Sequence, residues 1–198
     1  SLIKGSRAVI GAARAAATTA VVGFGSAYET SMAKASTLFG DVAVDTENLN
    51  GKILSLSGSS GKAASELNET LYQALSAGVP VTEDMGQALN AVEAASKLAT
   101  SGFTTSASAI DVMTTAANAY SDAGYEMSEI SDILLMTQNK GKTTVDELAS
   151  SLGRVLPVAS AYCVSLEDVG AAEATMTANG IATAESTTYL KGMLNELG

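Results

Sequence analysis

The side chains able to do chemistry are few and unevenly placed. One cysteine, Cys163, stands in the stretch G-R-V-L-P-V-A-S-A-Y-C-V-S-L-E-D-V-G (153–170), and there is no histidine anywhere in the 198 residues. That combination closes the Cys/His and Ser/His routes to an activated nucleophile and removes any Cys/His zinc site. A Ser–Lys pair stays formally open, with eight lysines scattered along the chain. Paired carboxylates of the kind a glycosidase needs occur at Glu83/Asp84, Asp146/Glu147 and Glu167/Asp168. Each pair falls in the first turn of an expected helix, where the helix dipole favours negative charge without any catalytic role. Gly23-Phe24-Gly25 is a fragment of a phosphate-binding glycine pattern, but no strand precedes it, and there is no D-x-[DN]-x-[DN]-G calcium loop. Cys163, two residues before Ser165, reads as a small buried residue at a corner where other joints carry glycine. The expectation is no enzyme, no cofactor and no metal.

The elements that would position any site are helices. Aromatic residues are only 5% of the chain while Ala, Ser, Thr and Gly dominate, so a core must come from Leu, Met, Val, Ile and closely apposed alanines. Apolar residues recur three and four apart at Leu49/Ile53/Leu56, Leu67/Leu71/Leu75, Met85/Leu89/Val92, Ile110/Met113/Ala117/Tyr120, Ile130/Leu134/Met136, Leu148/Leu152/Val155, Val169/Ala172/Met176 and Tyr189/Met193/Leu197. No stretch sustains period-two alternation, so the fold class is all-α, with essentially no sheet. A long N-terminal helix is expected over residues 2–36, followed by an array of short antiparallel helical hairpins.

The joints between these helices look alike: G-V-P-V-T (78–82), G-F-T-T-S (102–106), G-Y-E-M-S (124–128), G-K-T-T (141–144) and G-I-A-T (180–183). Gly78, Gly102, Gly124, Gly141 and Gly180 are expected to take the left-handed conformation after one helix, and the Ser or Thr to cap the next. Cys163 holds the equivalent place in a sixth joint. Thr144 and Ser165 carry an acid three residues on, the pattern of a capping box. Pro157 is expected to bend or start a helical segment just before the Cys163 corner.

Three regions follow: a basic helical arm at 1–40, a short helix with the Gly/Ser linker S-G-S-S-G at 41–61, and a multi-helical core at 62–198. The arm carries four bases against one acid, and the remainder seven bases against twenty acids, within a net charge of −10. So acidic a body argues against nucleic-acid binding. Phe24, Tyr28 and Met32 stand four apart in the arm beside Gly23, an arrangement suited to self-association through close backbone approach. The apolar run 15–24 is too short to span a bilayer. Because the chain begins at Ser1 and stops inside an expected helix, it reads as a piece of a longer protein.

From about Thr18 onward these segments resemble the N-terminal core of bacteriophage tail tape-measure proteins, which also occur in prophages. The residues carrying the resemblance are T-T-A-V-V-G-F-G (18–25), L-Y-Q-A-L-S-A-G (71–78), D-V-M-T-T-A-A-N-A-Y (111–120), V-D-E-L-A-S-S-L-G-R-V-L-P-V-A-S-A (145–161) and S-L-E-D-V-G-A-A-E-A-T-M-T-A-N-G-I (165–181). Cys163 departs from the glycine expected for that pattern. The resemblance implies a virion structural protein that occupies the tail lumen during assembly, sets tail length and leaves with the DNA at infection. It implies as partners other copies of the chain, tail tube and tail-tip or baseplate proteins and tail assembly chaperones, with membrane contact only during ejection. A cell-wall-degrading tail domain and a stand-alone helical adaptor are the alternatives.

Overall fold

The computed structural model describes residues 25–197. Among them there is no strand, and the chain runs as ten α-helices: α1 (residues 25–36), α2 (Thr46–Ser60), α3 (Ala64–Ser76), α4 (Gly86–Ser101), α5 (Ser106–Ala119), α6 (Met127–Lys140), α7 (Val145–Ser151), α8 (Leu156–Ala161), α9 (Leu166–Ala178) and α10 (Thr183–Leu197). The expected helix over 2–36 lies mostly outside the described residues. Short joints turn each helix back onto its predecessor. From α2 to α7 each helix also packs on the next but one, so successive hairpins stack. No helix among the described residues is long and apolar enough to cross a membrane.

Two hydrophobic clusters hold the stack. The first gathers Ala35, Phe39, Leu49, Ile53, Leu67, Leu71, Met85 and Val92 from α1 to α4. The second, larger one runs from Ala74 through Leu98, Ile110, Met113, Leu134 and Leu156 to Val169 and Leu194. α3 and α4 serve both, Leu71 and Val92 facing the first and Ala74 and Leu98 the second. Complete burial of such Leu, Ile and Met side chains contributes about 1.5–3 kcal/mol each relative to exposure.

Residues 57–61, expected as a flexible linker, are instead the last turn of α2 and its cap, with Gly61 left-handed at φ 69°. The serine hydroxyls make this turn tenable by bonding to nearby carbonyls: Ser60 Oγ donates to Leu56 O at 2.6 Å and Ser57 Oγ to Lys62 O at 2.7 Å. The Leu148/Leu152/Val155 helix is cut in two. α7 ends at Ser151, a 3-10 turn covers Leu152–Arg154, and Pro157 sits in the first turn of α8, where its missing N–H costs nothing.

The expected apolar stripe of the last helix faces outward. Tyr189, Met193 and Leu197 are 53%, 52% and 78% exposed, while α10 buries Thr183, Ser186, Thr187, Leu190 and Leu194. Met136 on α6 likewise faces out. On that inner face of α10, Leu190 and Leu194 join the larger cluster and Ser186 meets a carboxyl group on α9.

Candidate functional site

The residues with chemical potential are occupied in local structure. Asp84 accepts from the Gly86 N–H at 3.1 Å and from Thr82 Oγ1 at 2.9 Å, bonds that hold its carboxyl below the ordinary value. Asp146 accepts from Thr104 Oγ1, and that bond with one from Ser108 lowers it too. Glu147 closes a capping box with Thr144: the Thr144 N–H donates to Glu147 Oε2 at 3.0 Å and the Glu147 N–H to Thr144 Oγ1 at 3.2 Å. Glu167 accepts from Tyr125 Oη at 2.5 Å. Ser165 caps α9, its Oγ accepting from the Asp168 N–H at 3.1 Å and donating to Asp168 Oδ2 at 2.7 Å. Among the described residues two Ser–Lys pairs stand three apart, and each member is engaged elsewhere. Ser31 Oγ donates to Tyr28 O and Lys34 pairs with Glu69, while Ser59 Oγ donates to Leu56 O and Lys62 pairs with Glu66.

The joints divide into two kinds. Gly78, Gly124 and Gly180 have φ of 98°, 71° and 94°, the left-handed region expected for them. Cys163 takes the same conformation at φ 56° and is exposed rather than buried. Tyr120 pins this corner by donating to Val164 O at 2.8 Å. Gly102 and Gly141, by contrast, have φ of −90° and −96°. They are glycine for want of room: a Cβ on Gly102 would stand 2.7 Å from Val145 Cγ2, and one on Gly141 would stand 2.5 Å from Thr177 Oγ1 and 2.9 Å from Ala174 Cα. The left-handed position after α4 passes to Phe103, φ 54° and 92% exposed.

Of the expected joint hydroxyls, Thr105 and Thr144 are caps. Met85 stands at the start of α4 instead of Thr82, and Glu126 precedes α6 with its N–H held by Glu129 Oε2 at 2.9 Å, leaving Ser128 inside the helix. Thr183 is turned inward to donate to Thr143 Oγ1 at 2.8 Å.

Of the expected self-association residues, Gly23 and Phe24 lie outside the described residues. Tyr28 and Met32 pack against the first cluster of their own chain, and Tyr28 Oη donates to Asn50 Oδ1 at 2.6 Å. Lys34 on the same helix reaches Glu69 at 2.5 Å and lies 4.3 Å above the Tyr72 ring. The charge and the apolar side of α1 are thus used to fasten it to α2 and α3.

Two surface features remain open. A groove of about 510 Å³ runs between α6 and α9, lined by Ile133, Met136, Thr137, Lys140, Gly170 and Ala174. A Cβ on Gly170 would meet Thr137 Oγ1 at 2.5 Å, so a glycine there lets the two helices approach closely. A larger, more polar cleft of about 1100 Å³ lies among α4, α5 and α6, with Glu93, Lys97, Asn118 and Asp132 on its walls.

Beneath the surface a polar layer joins α9 to α10. Glu173 is fully buried; its Oε2 is in hydrogen-bond contact with Ser186 Oγ, and its Oε1 has no hydrogen-bond partner. Thr143, Thr177, Thr183 and Thr187 complete the layer, all buried. Burial pushes the Glu173 carboxyl above its ordinary value, against the opposing pull of the Ser186 and Thr187 hydroxyls. The stripe Val169/Ala172/Met176 hid this group. The spacing Leu166, Val169, Gly170, Glu173, Ala174, Thr177 is the one the helix buries, and it was available as a signal.

A family model described as phage-related minor tail protein matches residues 50–198. The chain is 45% identical, over 174 residues, to a protein of Clostridium phage phiCD119 described as a probable tape measure protein. The alignment covers 88% of this chain and 18% of that protein, so the chain spans under a fifth of the relative's length. No solved structure matches the chain.

Proposed function

The chain belongs to the phage-related minor tail protein family, and from that premise we propose that it is the folded assembly domain of a tape-measure protein, taking part in setting tail length without itself being the ruler. The observation that carries this reading is the pairing of 45% identity to a tape-measure protein with a chain that folds back on itself from α2 to α7 and again from α8 to α10. A ruler gains length at about 1.5 Å per residue only while its helix continues. Among the described residues no helical run exceeds the 16 residues of α4.

We read the domain as non-enzymatic, since Asp84, Asp146, Glu147, Glu167 and Asp168 of the paired carboxylates are engaged in helix starts and cross-helix bonds. It sits with other tail components in the virion, at the tail lumen or tip, and the acidic body keeps it from holding DNA by charge. The packed body begins with α1, whose Ala35 is buried with Phe39, Leu49 and Ile53 in the first cluster.

An in-frame deletion of 62–198 from the full-length tape measure in a phage tests the proposal, read by electron microscopy of lysates. The expected result is loss of tails. Tails shortened by about 1.5 Å per residue removed would make this region part of the ruler and overturn the proposal.

A further inference from the structure

We propose that α10 is a proton-controlled latch, held on the body while the Glu173 carboxyl is protonated and loosened when that carboxyl ionises.

The argument begins with counting hydrogens. A hydroxyl has one to donate. Ser186 Oγ has two acceptors for its one hydrogen, Thr183 O at 2.9 Å and Glu173 Oε2, while Thr187 Oγ1 gives its hydrogen to Thr183 O at 2.9 Å and Thr177 Oγ1 to Glu173 O at 2.7 Å. Both contacts of Ser186 Oγ are satisfied at once only when the carboxylic acid itself donates to it. An ionised Glu173 has nothing to give and must take a hydrogen away from the first turn of α10.

Among the described residues no cation is bonded to Glu173, and Arg154, in the 3-10 turn packed on α10, is exposed. On the helices packed against α9, the charged residues are Glu129, Asp132 and Lys140 of α6 and Glu185, Lys191 and Glu196 of α10, all exposed; α8 has none. Glu185 is bonded to the equally exposed Tyr189. From α7, packed on α10, Asp146 is taken by Thr104 and only Glu147 touches the layer, reaching Thr183 Oγ1 at 3.3 Å. Glu147 is itself an acid, so it opposes a second negative charge. Lys142, in the joint before α7, is exposed, though its backbone N–H donates to Thr177 Oγ1 at 3.1 Å. A buried carboxylate without a cation is costly, and the cheapest relief is to move the helix that closes the layer. Of the large side chains of α10 only Leu190 and Leu194 anchor it in the body, since Tyr189, Met193 and Leu197 already face solvent.

A group bound more tightly to its proton in the folded state stabilises the fold fully below its unfolded value, near 4.3 for Glu, and loses that contribution as pH rises through the folded value. Hydrogen exchange on the 198-residue chain from about pH 4.5 to about pH 8, corrected for intrinsic exchange, reads this in α10 with α4 as the internal reference. The expected result is that opening of α10 relative to α4 increases with pH, by about tenfold for each unit separating the folded and unfolded values. Glu173→Gln, which is neutral at every pH, is expected to abolish the increase. A ratio independent of pH in the natural chain overturns the latch, as does the same pH dependence in Glu173→Gln. If that variant does not fold, the carboxyl carbon of Glu173 followed by NMR in the natural chain decides. Titration in the ordinary Glu range overturns the proposal, and titration above it in step with the α10 amides supports it.

Discussion

The seam between α4 and α5 and the seam between α9 and α10 bury their residues equally well by opposite means. In the first, Ala91, Ala95, Leu98, Ala109, Ile110 and Met113 bring hydrocarbon to hydrocarbon, each 2% exposed or less. In the second, Glu173, Thr177, Thr183, Ser186 and Thr187 are as thoroughly buried, and they set a polar layer beside the hydrocarbon of Val169, Leu190 and Leu194. Hydrocarbon contacts gain from leaving water and have no protonation state. A hydroxyl and carboxyl layer holds only while each group has its partner, so its strength is conditional. The body is therefore constitutive at α4–α5 and adjustable at α9–α10.

Truncating the hydrocarbon seam is expected to have the largest effect. Leu98 is 1% exposed in the larger cluster, so Leu98→Ala removes transferred surface and leaves a cavity, at a cost of about 2–5 kcal/mol. Denaturant unfolding at two pH values checks it. The loss is expected to be the same at both, and a loss that varied with pH would break the contrast between the seams.

Ser186→Ala makes the matching cut in the polar seam. It strips Glu173 of its contact and is expected to cost about 1–3 kcal/mol. Because the Ser186 hydroxyl pulls the Glu173 carboxyl downward, its loss raises the folded value further. The penalty is then smallest in mild acid, where Glu173 is protonated in both chains, and grows as pH rises. Thermal unfolding across pH measures it, and a pH-independent penalty would mean that the layer is no different in kind from the alanine seam.

These two seams also explain what could be read from the sequence. Helix order and most core positions were legible because apolar spacing reports burial wherever burial is apolar, as at Leu67/Leu71 and Ile110/Met113. The same rule placed Tyr189, Met193 and Leu197 inside, since it counts hydrocarbon and cannot see the carboxyl on another helix that Ser186 meets. Glycine carried a similar ambiguity. Gly124 and Gly180 answer to backbone angle, whereas Gly102 and Gly141 answer to Val145 and Thr177, residues 43 and 36 positions away that no local pattern names.

Between the seams lies α7, whose capping box was legible as Thr144-Val145-Asp146-Glu147. Thr144→Ala removes the acceptor for the Glu147 N–H and is expected to cost about 1 kcal/mol. Glu147 also touches Thr183 of the polar seam. Hydrogen exchange should therefore show the loss spreading to α10 more than to α4. Equal loosening of both would detach the cap from the polar seam.

The smallest change touches neither seam. Cys163 holds a left-handed backbone at φ 56° with its side chain in solvent, between α8 and α9. A non-glycine residue there is strained by about 1–2 kcal/mol, because Cβ crowds the backbone. Cys163→Gly removes the strain but also frees the unfolded chain, which offsets part of the gain. The expected net is a stabilisation of under about 1 kcal/mol, seen as a small rise in Tm that is independent of pH. Independence matters more than size here. Tyr120 holds this corner through Val164 O rather than through the cysteine, so the substitution alters backbone strain alone. A pH-dependent response would mean that the α8–α9 joint shares in the Glu173 layer and that the adjustable part of the molecule extends past α9.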